Sequence, residues 1–218
     1  YITKMATALP ERRVVNPEGR LQKKTGIAAR RIAADGETAG DLAFQAADRL
    51  FAAGVRRESI DFLILCTQSP DYFLPPTACV LQHRLGLQRA CGAFDYDLGC
   101  SGYVYGLGMA KGLVETGQAE HVLLLTSETY SKYIHPEDGA TLPLFGDGAT
   151  ATLVEAVEAE KPGLDGFVYG TDGSGADKLI VPVGGQRHPY MTTPAEEMRD
   201  KYGNVRTNRN LFMNGSSI

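Results

Sequence analysis

Cys100 is the residue whose type and position first suggest chemistry. It lies within residues 94–103, where a short apolar run ends and a segment of helical length begins. The unpaired N–H groups and the dipole of a first helical turn favour negative charge, so a thiol placed there is favoured as the thiolate. A thiolate is an effective nucleophile, and the position therefore predicts covalent catalysis. The alternative is a small buried residue packed beneath a sheet, as free cysteines often are.

The other cysteines, Cys66, Cys79 and Cys91, do not extend this candidate into a metal site. The spacing of the four cysteines matches no paired-ligand zinc pattern. A chain of 218 residues is also long enough to fold around a core without disulfides. We therefore predict four reduced thiols, no metal and no other cofactor.

The composition excludes several classes of partner. Hydrophobic residues make up 43% of the chain and charged residues 22%, with a net charge of −4, as in ordinary globular proteins. The chain has no long basic run, which argues against nucleic acid or an anionic membrane surface as a partner. Apolar stretches such as residues 122–125 are far too short to span a bilayer. We expect a cytoplasmic protein, and no signal peptide is visible at Tyr1. Because the chain does not begin with Met, we expect its natural start to precede Tyr1.

The elements that must position Cys100 alternate between strands and helices. Apolar runs predict strands at residues 1–8, 61–66, 93–98, 121–126 and 148–157. Apolar periodicity and capping residues predict helices from Thr38 or Asp41 to Ala53, from Pro75 and Pro76 to Gly86, and from Cys100 to Thr116. The order βαβαβαββ predicts an α/β fold with a mostly parallel five-stranded sheet.

The helix after Cys100 contains Gly102, Gly106, Gly108 and Gly112. Glycines inside a helix are costly, so their presence predicts close approach of neighbouring backbones and a buried central helix. Their spacing does not match a dinucleotide-binding G-x-G-x-x-G segment.

Two further segments are less regular. Residues 16–26 are polar with Pro and Gly, which predicts a loop. Residues 158–218 are rich in Gly and Pro with little periodicity, and we expect at most a short helix over residues 192–201.

Five landmarks, in order along the chain, resemble one protein family, the beta-ketoacyl-acyl-carrier-protein synthase III family. They are residues 24–27 with 30–33, 74–82, 94–102, 144–151 and 213–215. The resemblance implies a thiolase-like fold made of two similar halves around a central helix layer, normally in a homodimer. Residues 1–157 then form the N-terminal half, and residues 158–218 form a connecting segment that leads into a second half absent from this chain.

The resemblance also implies a transferase of fatty acid biosynthesis with Cys100 as its catalytic nucleophile. In the family this cysteine takes the acyl group from an acyl-CoA or acyl-carrier-protein thioester and condenses it with malonyl-acyl-carrier protein after decarboxylation. Tyr130 and Phe145 correspond to walls of the acyl pocket, and Leu74 to the residue that closes this pocket from the neighbouring subunit. Lys24 corresponds to a substrate-binding arginine.

Departures from the family pattern modify these expectations. The chain has no Trp, and Lys24 and Gly139 stand where arginines that contact adenine are common. Lysine lacks the planar fork of arginine, so recognition of coenzyme A is weakened and a carrier-protein-bound or specialised acyl group is favoured. The family's catalytic histidine and asparagine belong to its second half, and none of the four histidines lies in a matching motif.

Three alternatives stay open at this stage. In the first alternative, the reaction is acyl transfer without decarboxylation in a polyketide or surface-polysaccharide pathway. In the second, the chain is a non-catalytic subunit that shapes an active heterodimer. The third alternative concerns length: the chain is part of a longer protein, or it is a genuine half-length protein. A longer parent is favoured, because an isolated half would expose the apolar face that packs against its twin.

Overall fold

The computed structural model describes residues 1–215, and residues 216–218 of the predicted connecting segment lie outside the described residues. In chain order, the strands and helices are β1 (Ile2–Ala8), β2 (Arg13–Val15), α1 (Arg20–Thr25), β3 (Ala29–Arg31), α2 (Ala39–Ala52), β4 (Phe62–Cys66), α3 (Thr77–Arg84), β5 (Gly92–Tyr96), α4 (Gly102–Glu115), β6 (His121–Glu128), β7 (Gly148–Glu155), β8 (Leu179–Ile180), β9 (Glu197–Arg199), β10 (Val205–Thr207) and β11 (Phe212–Met213).

The described residues form two compact units whose segments alternate along the sequence. The first unit consists of Tyr1–Arg12, Arg31–Thr129 and Asp147–Val168. The second unit consists of Arg13–Arg30, Tyr130–Gly146 and the chain from Tyr169 onward. The division at residue 157, which depends on a second half outside this chain, stays a prediction.

The first unit contains a five-stranded sheet with the order β1-β7-β6-β4-β5. The predicted succession βαβαβαββ is confirmed for the elements that build this sheet. Strand β4 is parallel to both β5 and β6, whereas β7 is antiparallel to both β6 and β1. Four strands therefore run in one direction, as predicted, and β7 makes the sheet mixed. Between β6 and β7 the described chain has only short 3-10 turns, not the crossover helix that a parallel neighbour requires.

The sheet is covered on both faces, which explains the continuous apolar run of β4. Its Leu63 and Leu65 face a cluster built with α2 and α3, while Ile64 faces a second cluster built with α4. All three side chains have 0% exposure. Alternate residues of a strand point to opposite faces, so a strand covered on both faces is apolar at every position.

Helix α4 packs closely on the sheet through its glycines. A Cβ built on Gly106 would lie 2.5 Å from Tyr96 Oη, so a side chain there would displace its neighbour. The atoms nearest to Gly106 belong to the side chains of Tyr96 and Leu124, not to a neighbouring backbone as predicted, and a Cβ on Gly112 would meet no atom of the described chain within 4 Å. Only the face toward the sheet is buried in this chain, since Val104 is 46% exposed.

Two local predictions were wrong. The predicted loop of residues 16–26 contains α1, which ends at Gly26 in the left-handed conformation with φ 74°. The predicted helix over residues 192–201 is replaced by β9, which pairs antiparallel with β10. The turn between these strands is fixed by Asp200, whose carboxylate accepts hydrogen bonds from the N–H groups of Tyr202 and Asn204. Asx turns of this kind compete locally with helix formation.

Candidate active site

Cys100 lies in the turn between the carboxyl end of β5 and the start of α4. The N–H of Gly102 donates to the carbonyl of Gly99 at 2.8 Å and closes this turn. The side chain of Cys100 is exposed, so the alternative of a thiol packed beneath the sheet is wrong. The Cys100 thiol is therefore accessible from solvent at the amino end of α4.

One buried side chain, Cys66, and one half-buried side chain, Tyr96, hold the turn. Cys66 Sγ donates to the carbonyl of Leu98 at 3.0 Å, and Tyr96 Oη donates to the carbonyl of Gly102 at 2.6 Å. Burial raises the pKa of the Cys66 thiol and also the pKa of the Tyr96 hydroxyl. Both groups therefore stay protonated and keep their donor hydrogens at neutral pH.

A carboxylate supports the same edge of the sheet from the end of β6. Glu128 accepts hydrogen bonds from the N–H of Gln68 at 2.7 Å and from Ser69 Oγ at 2.6 Å. Ser69 Oγ in turn accepts from the N–H of Thr129 at 2.9 Å. Burial raises the pKa of Glu128 to about 7, with smaller contributions from nearby carboxylates. Sequence reasoning missed Glu128; the available signal was an acidic residue ending a strand that is otherwise buried.

Leu74 lies in an exposed loop that is positioned by hydrogen bonds of Asp95 and Asp71. Asp95 accepts from the N–H groups of Thr77 and Ala78, both at 2.6 Å, and so fixes the start of α3. Asp71 donates its own N–H to Thr77 Oγ1 at 3.0 Å. Leu74 at the tip is 85% exposed, and its neighbours Tyr72 and Phe73 are also exposed. The loop therefore presents an apolar surface. The predicted role of Leu74 at a neighbouring subunit requires such a surface.

In the second unit the structure brings Tyr130 and Phe145 together. Their rings stack with centroids 5.3 Å apart and planes 28° apart. The backbone of Phe145 is held by Arg30, whose Nη1 donates to its carbonyl at 3.1 Å. Arg30 Nε also donates to Asn16 Oδ1 at 2.8 Å. Lys24 is exposed in the last turn of α1.

Neither His121 nor His83 supplies a partner at the Cys100 turn. His121 begins β6 and lies between Asp61 and Glu155, with nitrogen–oxygen distances of 3.6 and 3.4 Å. This is the amino end of β6, whereas Cys100 follows the carboxyl end of the parallel β5. His83 is exposed on α3.

Over residues 1–215, no group of three or more histidine, cysteine, aspartate or glutamate side chains is arranged to hold a metal ion. In the same residues, no helix combines the length and apolar character needed to cross a membrane.

Comparison with known proteins agrees with this geometry. The profile of the family 3-Oxoacyl-[acyl-carrier-protein (ACP)] synthase III matches residues 94–173, which include the Cys100 turn. The chain is 41% identical over 196 residues to beta-ketoacyl-[acyl-carrier-protein] synthase III of Caldanaerobacter subterraneus subsp. tengcongensis. That match covers 89% of this chain and 56% of the relative, so the chain spans about half the length of the curated relatives it matches.

Two solved structures also superpose on this chain. A 3-oxoacyl-(acyl-carrier-protein) synthase III crystal structure superposes with a TM-score of 0.97 at 53% identity, over 100% of this chain and 68% of that chain. The priming beta-ketosynthase from the R1128 polyketide biosynthetic pathway superposes with a TM-score of 0.82 at 28% identity, over 99% of this chain and 63% of that one.

Proposed function

The chain belongs to the beta-ketoacyl-acyl-carrier-protein synthase III family of thiolase-like condensing enzymes, and from this premise we propose that Cys100 carries the acyl group in a decarboxylative condensation. The observation that supports this role best is the placement of Cys100. Its thiol is exposed at the amino end of α4, on a turn held by Cys66 and Tyr96. Cys66 and Cys91 are buried with raised pKa values, as expected of unreactive thiols.

The first half-reaction transfers the acyl group to the protein. The Cys100 thiolate attacks the carbonyl carbon of an acyl thioester, a new carbon–sulfur bond forms, and the carrier leaves as its thiolate, which takes a proton. The developing oxyanion is stabilised by N–H donors, among which we include the backbone N–H of Cys100. The turn is suited to this step because its carbonyl groups at Leu98 and Gly102 are already bonded to fixed donors.

The second half-reaction forms the carbon–carbon bond. Malonyl-acyl-carrier protein loses carbon dioxide, and the resulting carbanion attacks the acyl carbon on Cys100. The carbon–sulfur bond to Cys100 breaks, so the thiolate is restored and the beta-ketoacyl product remains on the carrier protein. The resemblance assigns the stabilisation of the enolate-like thioester oxygen to a histidine and an asparagine of the family's second half.

The remaining predicted residues bind the acyl group and its carrier. The stacked rings of Tyr130 and Phe145 form a wall of the acyl pocket. Leu74, on its exposed loop, closes the pocket of the neighbouring subunit in a homodimer. Lys24 meets the carrier end of the substrate. The partners are acyl-carrier protein and an acyl thioester, and the location is the cytoplasm.

Acyl transfer without decarboxylation, in a specialised polyketide or surface-polysaccharide pathway, is the second candidate, because Gly139 and Lys24 stand where the family commonly has arginines that contact adenine. The similarity to the priming ketosynthase of the R1128 polyketide pathway supports the specialised pathway. Incubating the full-length protein with acyl donor and acyl-carrier protein, with and without its malonyl group, distinguishes the two. A product that needs the malonyl group shows condensation, whereas transfer without it shows the alternative reaction.

The test of Cys100 is covalent labelling of the full-length protein with a radiolabelled acyl thioester. The wild type is expected to hold the label through denaturation, and Cys100→Ser to lose it. Cys79→Ser is the matched control, because Cys79 is the other exposed cysteine. Equal labelling of Cys100→Ser and wild type contradicts the proposal. An unlabelled wild type whose Cys100 is alkylated no faster than Cys66 or Cys91 favours a non-catalytic subunit.

A further inference from the structure

Glu128 is an acidic side chain for which the acyl transfer above has no use. It ends β6 and is partly buried, although burying a carboxylate costs free energy unless it is well paired. Its two oxygens accept from the N–H of Gln68 and the hydroxyl of Ser69. Both donors belong to the turn of residues 67–69 that follows β4, so Glu128 joins the carboxyl ends of two neighbouring parallel strands.

The turn of residues 67–69 connects Glu128 to the turn that carries Cys100. A Cβ built on Gly99 would lie 2.8 Å from Gln68 Oε1, so the side chain of Gln68 rests directly against the residue before Cys100. The same turn is tied to β5, since the N–H of Thr67 donates to the carbonyl of Tyr96 at 3.2 Å. The contacts thus run without a gap from the carboxylate to the nucleophile turn.

We propose that Glu128 is a positioning residue for Cys100, whose ionised carboxylate holds the turn of residues 67–69 and, through Gln68 and Gly99, sets the orientation of the thiolate. The inference rests on the proposed role of Cys100 and adds a protonation-dependent element to it. A carboxylate accepts both hydrogen bonds, whereas a carboxylic acid brings a hydrogen of its own to the contact with Ser69. Because the Ser69 hydroxyl already donates to Glu128, protonation places two hydrogens between the same two oxygens and forces the contact to rearrange.

The environment of Glu128 determines the pH at which its carboxyl group becomes protonated. Burial raises the pKa of Glu128 to about 7, the hydrogen bonds from Ser69 and Gln68 lower it, and the negative charges of Asp97 and Asp147 raise it. Asp97 belongs to the loop after β5, and Asp147 precedes β7. Cys66 on β4 faces Glu128 as a neutral thiol, because burial raises its own pKa. The carboxyl group therefore changes charge in the neutral range.

Residue-resolved alkylation of the full-length protein tests the proposal without any acyl substrate. Cys100 modification by iodoacetamide is measured by peptide mass spectrometry, with exposed Cys79 as the internal reference. The key quantity is the rate of Cys100 modification in the wild type divided by the same rate in Glu128→Gln. The glutamine side chain imitates the protonated carboxyl group. We expect this quotient to be near one at about pH 5.5 and to rise about threefold to tenfold by about pH 8.5, because misplacing a reacting group costs rate. Its midpoint is expected at about pH 7.

A quotient that does not change with pH overturns the proposal, since a purely structural glutamate would affect both ends of the pH range equally. If Glu128→Gln fails to fold, two variants that keep Glu128 provide a second test, in which the measured quantity is the pH midpoint of the Cys100 rate divided by the Cys79 rate. Ser69→Ala removes a bond that lowers the pKa and should move the wild-type midpoint to higher pH. Asp97→Asn removes a negative charge that raises the pKa of Glu128, and this variant should move the midpoint to lower pH. Unmoved midpoints overturn the proposal, whereas a Cys100 that is no more reactive than Cys79 at any pH overturns the proposed function itself.

Discussion

Tyr96 and Gly102 are joined by a hydrogen bond of 2.6 Å that connects the last residue of β5 to the first residue of α4. The bond spans the turn that carries Cys100, and Tyr96 remains a donor because burial raises its pKa. The orientation of the turn that carries Cys100 therefore depends on a phenol that belongs to the sheet.

Tyr96→Phe should loosen this turn without leaving a cavity. The carbonyl of Gly102 loses its donor, and we expect a loss of about 1–2 kcal/mol in the free energy of unfolding. Acylation of Cys100 should slow about threefold to tenfold, as expected when a reacting group is less well oriented. Chemical denaturation and single-turnover labelling measure the two effects. Tyr103→Phe is the matched control, because its hydroxyl lies 3.4 Å from Thr152 Oγ1 and not on the turn; equal acylation rates for Tyr96→Phe and this control would contradict the argument.

Gly102→Ala should be strongly destabilising because the new methyl group would lie 2.3 Å from Cys66 Sγ. We expect a loss of about 1–3 kcal/mol, as for other overpacked cores. The double variant with Cys66→Ala should recover most of this, since the nearest remaining atom of residue 66, its Cβ, lies 3.8 Å away. Thermal unfolding of the single and double variants measures the coupling.

Gly112→Ala on the same helix is the control for this pair. A Cβ there meets no described atom within 4 Å, so replacing this glycine should stabilise the protein by about 0.5–1 kcal/mol through helix propensity. If Gly102→Ala were as well tolerated as Gly112→Ala, the close contact between Cys66 and α4 would not be a constraint on the fold.

The sequence predicted those elements whose signals are local. The apolar run of β4 indicated a strand covered on both faces, and the structure buries Leu63, Ile64 and Leu65 completely. The start of α2 was predicted at Thr38 or Asp41, and both residues take part: each side chain accepts from the backbone N–H of the other at 3.1 Å. Capping boxes of this kind are defined by residues three apart and are therefore visible in sequence.

The rest depended on contacts between distant segments. Glu128 is about sixty residues from its partners Gln68 and Ser69, and only the parallel pairing of β4 with β6 brings them together. The mixed sheet has the same origin, because the direction of β7 is set by the absence of a crossover helix between Thr129 and Asp147 in the described chain. Local periodicity contains no information on either point.

The stability of the protein should decrease as pH rises through the range in which Glu128 ionises. In the folded state its pKa is raised from 4.5 to about 7, so between these values the folded protein binds more protons than the unfolded chain. The stabilisation is complete below about pH 4.5 and is lost as pH rises through about 7. Glu128→Gln should therefore be more stable than the wild type above pH 7, by about 1–3 kcal/mol.

Guanidinium unfolding of wild type, Glu128→Gln and the exposed control Glu120→Gln across this pH range measures the difference. Together with the alkylation experiment, this measurement distinguishes a positioning role of Glu128 from a stabilising role. A glutamate retained for positioning gives a variant that is more stable and less reactive above pH 7. A glutamate retained for stability gives a Glu128→Gln variant that is less stable at every pH, and this result would contradict the sign derived above.

Gly139→Arg should increase the use of coenzyme A thioesters relative to carrier-protein thioesters. Gly139 stands where the family commonly has an arginine; it is exposed, and a Cβ there would make only an ordinary contact, 3.5 Å from Asn204 Oδ1. A planar guanidinium stacks on an adenine ring, and we expect a gain of about threefold to tenfold in kcat/KM for the coenzyme A donor. Gly139→Lys is the matched control, because it adds the same charge without the planar group. Equal gains from lysine and arginine would show a general charge effect, and no gain from either would show that the adenine of the donor does not reach residue 139.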